Sequence, residues 1–236
     1  MRSWMSNLTS EERARYVHNV FGGIARRYNL MNRLMTAGQD IRWRREAIRR
    51  LGLRPGERLL DLGAGTGDLG REALRQRPDI HLVAADFSLD MMLAGQASGQ
   101  LPWLNADALQ LPCADGSFEA VVSGFLMRNV GNLEAALKEQ YRILKPGGRM
   151  LILETTRPRS GILSPFVRFY MRHVIPWIGG LVSGNREAYR YLPASSEGFL
   201  SAEELAGRMV SAGFGNVGFR RRMAGTIAIH WGEKSF

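Results

Sequence analysis

Glycines and carboxylates at regular intervals mark the part of this chain that could do chemistry. Leu59-Leu-Asp-Leu-Gly-Ala-Gly-Thr-Gly-Asp68 leads an apolar run into glycines at 63, 65 and 67, and a helical stretch follows. Glycine is required where a turn is tight and the backbone must come close to a ligand. Asp61 stands just before the turn and could accept a hydrogen bond from an ammonium group, directly or through water. Asp86, with Phe87 after it, ends the second apolar run, where a carboxylate can take both hydroxyls of a ribose. Ala106-Asp107-Ala108 follows the third run, which ends at Asn105, and Asp107 could accept from an adenine amino group. A ligand with a ribose, a purine and an ammonium group suits this series. S-adenosyl-L-methionine has all three, with a sulfonium besides.

A dinucleotide is the obvious competitor, because Gly65-Thr-Gly-Asp-Leu-Gly70 satisfies G-x-G-x-x-G by the letter. A diphosphate on that helix N-terminus would lie beside Asp61 and Asp68, and like charges repel in a poorly solvated cleft. The acidic surroundings favour a cationic ligand without phosphate. A glycine turn that merely packs helix on strand leaves three strand-end carboxylates unexplained.

The elements that must hold these residues follow from the apolar pattern. Arg58–Asp61, His81–Asp86, Trp103–Asn105, Ala120–Ser123 and Met150–Glu154 each read as a buried strand ending in a polar residue. Helical stretches lie between most of them, near Gly67–Gln76, Leu89–Ala97 and Leu133–Leu144. Such alternation calls for a parallel sheet covered on both faces. Lys145-Pro-Gly-Gly148 is expected to turn the chain into the fifth strand. Val217–Met223 and Thr226–Trp231, joined by Ala224-Gly225, read as a closing hairpin, and Ser201 with Glu204 as the capping box of a preceding helix. The fold class is therefore α/β, a doubly wound, Rossmann-like, mostly parallel seven-stranded sheet with an antiparallel C-terminal strand. Residues 1–236 read as one domain, with 1–53 a helical cap and 156–200 a helical insertion over the active edge.

Further along, several blocks resemble one family. Tyr28-Asn-Leu-Met-Asn-Arg-Leu-Met35, followed by Trp43, is similar to the opening signature of the ubiquinone/menaquinone C-methyltransferases, Tyr-Asp-x-Met-Asn and then a histidine and a tryptophan. Arg142–Glu154 is similar to the second signature, and Phe125-Leu-Met-Arg-Asn-Val130 resembles Phe-Gly-Leu-Arg-Asn-Val. Glu187–Pro193 and Ile229–Lys234 resemble the C-terminal blocks, so the likeness runs from about Val17 to Lys234. Asn29 replaces the usual aspartate, Asp40 stands about where the histidine belongs, and Leu126 replaces a glycine.

This resemblance implies a class I methyltransferase that methylates a ring carbon of a reduced polyprenyl quinone, above all demethylmenaquinol to menaquinol. It puts Thr66, Asp86, Asn105, Ala106 and Gly124 on donor-binding positions and Arg128 and Asn129 at the reacting centre. Arg128 would stabilise the developing phenolate, and its loss would remove ~2.7–4 kcal/mol of transition-state stabilisation while sparing the donor. Tyr28, Met31 and Asn32 read either as a lid over the donor or as an ordinary amphipathic helix. Tyr189 and Tyr191 either line the quinone pocket or pack, and His230 either takes a proton or is simply buried in its strand. No metal is called for.

Composition sets the outer limits. Lys and Arg number 32 against 22 Asp and Glu, a net charge of +10 that suits an anionic membrane surface or another polyanion, or reflects a bias toward arginine. Aromatic residues and arginines are interspersed over 162–181 (Phe166, Phe169, Tyr170, Trp177), which suits a mouth resting on a bilayer for a polyprenyl tail, or a buried cap. Gly161–Val182 carries Arg168, Arg172, His173 and Pro176, which speaks against a bilayer crossing, and with no signal segment the cytoplasm is expected. The single cysteine, Cys113, excludes an internal disulfide framework. Nucleic-acid methylation is disfavoured: Ser123-Gly-Phe-Leu follows the fourth strand where an adenine enzyme needs Asn/Asp-Pro-Pro-aromatic, and Pro112-Cys113 precedes that strand. A soluble phenol as acceptor and a nucleotide-binding module without catalysis are the alternatives, and a homodimer is left open.

Overall fold

The computed structural model describes residues 10–157, 174, 191, 195–196 and 198–236. Most of the expected insertion over 156–200, with Tyr189 and the aromatic residues at 166, 169, 170 and 177, lies outside the described residues. Strands β1 (Arg58–Leu62), β2 (His81–Asp86), β3 (Trp103–Asn105), β4 (Phe118–Gly124), β5 (Leu144–Thr155), β6 (Phe214–Arg222) and β7 (Ile227–Lys234) form a sheet in the order β3-β2-β1-β4-β5-β7-β6. Neighbours from β3 to β5 pair in parallel, and β7 runs antiparallel to both β5 and β6. This is the expected mostly parallel sheet. The strand order reverses direction between β1 and β4, which opens a crevice at the carboxyl ends of these strands. Register lines up the tips, with Leu62 beside Ser123 and Asp86 beside Asn105.

Side-chain alternation along the strands separates two cores. Leu59, Ala120, Val122, Leu151 and Leu153 face helices α3 (Gln39–Leu51) and α4 (Asp68–Gln76). Leu60, Leu62, Val121, Met150 and Ile152 face α6 (Leu133–Ile143) and α7 (Ala202–Ser211). Helix α5 (Leu89–Gln96) starts from Ser88, whose side chain accepts from the Met91 amide. The capping box at Ser201 and Glu204 forms as read. Helices α1 (Ser10–Gly22) and α2 (Tyr28–Thr36) build a third cluster in which Val20, Ile24, Met31 and Tyr191 are buried. No helix among the described residues is long and apolar enough to cross a membrane.

Two local expectations shift. The Lys145–Gly148 turn lies inside β5, where pairing jumps from Phe118 beside Leu144 to Ala120 beside Arg149. Gly147 absorbs this bulge at φ +74°. The closing hairpin is longer than read, and its connection spans Met223–Gly225, all three with positive φ.

Candidate functional site

A cavity of about 490 Å³ opens over the tips of β1, β2, β3 and β4, a volume ordinary for a small-molecule site. Gly63 and Gly65 form its floor at φ +66° and +58°. A Cβ on Gly63 would come within 2.8 Å of the Leu126 side chain, and one on Gly124 within 2.6 Å of the Leu69 side chain, so either substitution would make its neighbour move. The wall at β2 is held by Asp86, whose Oδ2 accepts from the Gly65 amide at 2.6 Å and whose Oδ1 accepts from the Ser88 amide at 2.8 Å. One carboxylate thus ties the glycine turn to the start of α5. Phe87, Ala106 and Asp107 complete this side, and Tyr28, Phe21 and Val17 close the cavity from the N-terminal helices.

Several residues singled out from the sequence do other work. Asp61 does not form the wall: it turns under α4, where Oδ2 accepts from the Gly70 amide at 2.8 Å. Its Oδ1 is buried without a hydrogen-bond partner among the described residues, an acceptor left over beneath the glycine turn. Burial pushes the Asp61 carboxyl up to about 7, the Gly70 amide opposes this, and the charges of Asp86 and Asp68 add to it. The folded state therefore keeps a proton that the unfolded chain releases near pH 4. Between about pH 4 and 7 this group erodes stability as pH rises. Asp61→Asn should abolish that slope, so that its melting temperature relative to the unsubstituted protein climbs from pH 5 to pH 8. A difference flat in pH would show that the carboxyl titrates normally.

Thr66 and Gly67 also face away from the cavity. The Thr66 hydroxyl donates to Asn29 Oδ1 at 2.8 Å, and Asn29 Nδ2 donates to Asp68 Oδ1 at 3.0 Å. Gly67, at φ +84°, packs against Leu101, Arg71 and Trp103. Asn105 braces the turn from outside, donating to the carbonyls of Asp86 and Phe87 at 2.9 and 3.1 Å. His230 lies on the α7 face of the sheet: its Nε2 is 3.0 Å from the Ala202 carbonyl and its ring leans on Phe219. Burial drives its pKa down to about 4. Among the described residues it is packed under α7 and is not part of the cavity lining.

Arg128 stands beside the cavity, off its described lining. It is 4% exposed, Glu154 is fully buried, and the two form an ion pair. Burial works against the guanidinium, but Glu154 beside it outweighs this, with Tyr28 and Tyr191 adding, and holds its pKa above the ordinary value. Arg128 is thus paired with Glu154 and adjoins Asn129. Asn129 does line the cavity. Its Oδ1 accepts from the Tyr191 hydroxyl at 2.8 Å and its Nδ2 donates to the Phe125 carbonyl at 2.9 Å. Phe125 itself stands at φ +58°, a left-handed conformation costing a non-glycine residue about 1–2 kcal/mol.

Sequence reasoning missed Arg15, Val17 and Phe21 of α1, together with Ser88, Met91 and Leu126. Ser88 was legible as a helix cap, since it opens Ser-Leu-Asp-Met. The α1 residues belong to no motif.

A family model described as the ubiE/COQ5 methyltransferase family matches residues 7–234. The chain is 44% identical over 224 residues to the ubiquinone/menaquinone biosynthesis C-methyltransferase UbiE of Desulfotalea psychrophila, covering 92% of this chain and 90% of that protein. It is 42% identical over 220 residues to the demethylmenaquinone methyltransferase of Thermus thermophilus, covering 91% of this chain and 100% of the relative. Among solved structures, a possible histamine N-methyltransferase from Thermotoga maritima superposes with a TM-score of 0.63 at 21% identity, over 92% of this chain and 100% of that one.

Proposed function

The chain belongs to the ubiE/COQ5 methyltransferase family, and on that premise we propose that it methylates a ring carbon of a reduced polyprenyl quinone, demethylmenaquinol to menaquinol, with S-adenosyl-L-methionine as donor. The observation that carries this reading is the two-sided cleft. Its floor is a glycine turn at positive φ, Asp86 at the β2 tip and Asp107 just past β3 make it acidic, and Phe21, Leu126 and Val130 give it apolar lining. A cationic nucleoside fits the acidic tips.

When bound, S-adenosyl-L-methionine supplies the methyl group, and the electron pair of the broken bond stays on sulfur. The protein's own residues bind, orient and exclude water. Each Asp86 oxygen can accept a second hydrogen bond beside its backbone partner, which suits a pair of ribose hydroxyls. Asp107, held by the Leu109 amide at 2.9 Å, suits an adenine amino group. The apolar side keeps water from the ring and strengthens charge interactions there. Asn129, fixed at both ends of its amide, sets the edge against which the ring would be held. Alignment of this kind contributes ~7–11 kcal/mol when reacting atoms are near attack. Arg128 and Glu154 act as positioning residues for the turn that carries Asn129.

The test is incubation with isotopically labelled donor and chemically reduced demethylmenaquinol in anionic vesicles, read by mass spectrometry. A labelled quinol one methylene heavier is expected, and at low salt the protein should sediment with the vesicles. Label passing to soluble phenols but not to the quinol would replace the acceptor.

A further inference from the structure

Side chains just outside the cavity join the N-terminal helices to the glycine turn. Tyr28 of α2 and Gly65 of the turn both line the cavity. The residues that follow them, Asn29 and Thr66, are bonded to each other, with the Thr66 hydroxyl donating to Asn29 Oδ1 at 2.8 Å. The nitrogen of the same amide donates to Asp68 Oδ1 at 3.0 Å, on the first residue of α4. From Asp68 the network returns to the helices. Arg44 of α3 stands 3.8 Å from Asp68 Oδ2 and pairs with Asp40, whose Oδ1 is 3.0 Å from the Thr36 hydroxyl at the end of α2. Asp40, Arg44 and Thr66 are buried, so little water competes for these contacts. Arg71 of α4 holds the Thr66 carbonyl, while the Thr66 hydroxyl ties the turn to α2.

We infer that Asn29 and Asp40 are positioning residues for the donor: together they seat α2 on the glycine turn, and donor affinity depends on that seating. This rests on the S-adenosyl-L-methionine reading of the preceding section and not on which acceptor is methylated. Neither residue lines the cavity, so their influence passes through Tyr28 on one side and Gly65 on the other. Charge explains the residue types. Asp68 meets a neutral amide from α2 and one guanidinium from α3, whereas a carboxylate at 29 would set two anions against each other. The signature that this chain resembles has aspartate at 29 and histidine near 40, and here Asn29 and Asp40 stand instead. One carboxylate has thus been exchanged across a network with Arg44 at its centre. Two departures that look independent along the chain are a single compensated change in space.

The test is calorimetry with S-adenosylhomocysteine on variants of the full chain, with melting points taken without ligand. Asn29→Ala and Thr66→Val should each weaken binding roughly 10-fold, the scale of one partly buried hydrogen bond. Their combination should bind about as Asn29→Ala does, because both remove the same bond; independent losses would multiply to about 100-fold. Charge exchange supplies a readout that lost packing would not move. Asn29→Asp should weaken binding, and adding Asp40→His should bring it back to within about 3-fold of the unsubstituted protein. In donor kinetics, Asn29→Ala should raise KM by a larger factor than it lowers kcat. Variants that melt lower yet bind S-adenosylhomocysteine undiminished would make the network a support of the fold alone and overturn the inference. Multiplying losses, or a folded Asn29→Asp/Asp40→His protein no better than Asn29→Asp, would overturn it too. Should the exchanged protein not fold, the Asn29→Ala and Thr66→Val comparison decides. An unsubstituted protein that takes up no S-adenosylhomocysteine would remove the donor reading itself, a result distinct from equal binding by parent and variants.

Discussion

Exchanging Glu154 for glutamine is expected to destabilise the folded protein by about 3–5 kcal/mol, a large part of the ~5–15 kcal/mol that holds a domain folded. The carboxylate is fully buried and balances the buried guanidinium of Arg128. It also accepts from the Arg128 amide at 3.3 Å and the Thr155 amide at 2.7 Å. Glutamine keeps one acceptor but leaves the guanidinium charge uncompensated in a dry site. Replacing both partners, Glu154→Leu with Arg128→Met, removes the charges together and should cost less than the single change. Chemical denaturation reads this as a lower midpoint at unchanged slope. A single variant within about 1 kcal/mol of the parent would mean that the pair is open in solution. The guanidinium would then be available to the cleft beside Asn129.

Arg128 also shows where sequence reading stops. Its block was legible as chemistry, but its partner lies 26 residues away at the end of another strand. Spacing alone does not say whether a cation meets a ligand or a buried carboxylate. Strands and the glycine turn were legible because local pattern suffices for them: apolar runs of strand length, glycine at positive φ, a serine cap. Asp61 and Asp86 read alike as strand-tip carboxylates, yet one supports a helix amide and the other faces the cavity. Alternation held the clue for Asp61, two residues after Leu59 and therefore on the α4 face. Phe125 gave no signal, because few residues other than glycine adopt positive φ. The departures at 29 and 40 become intelligible only in three dimensions. Asn29 donates to Asp68, where an aspartate would meet like charge, and Arg44 bridges Asp40 and Asp68 at the same place.

Asp86→Ala should weaken S-adenosylhomocysteine binding by about 2–4 kcal/mol, roughly 30- to 1000-fold, since hydrogen bonds to a charged group are worth ~1.5–3 kcal/mol each. Two losses combine. The ribose loses a bidentate acceptor, and the amides of Gly65 and Ser88 lose the carboxylate that fixes them. The second loss frees the glycine turn, so Asp86→Asn, which retains one acceptor oxygen, should fall between the two. Calorimetry with S-adenosylhomocysteine gives the affinity, and thermal melting without ligand separates the contributions: a lowered melting point reports the freed turn, whereas an affinity loss beyond it reports the ribose. Affinity unchanged in Asp86→Ala would remove the β2 tip from the donor site. The bound nucleoside would then have to lie along Asp107 alone, and the acidic side of the cleft would no longer distinguish a cationic donor from a dinucleotide.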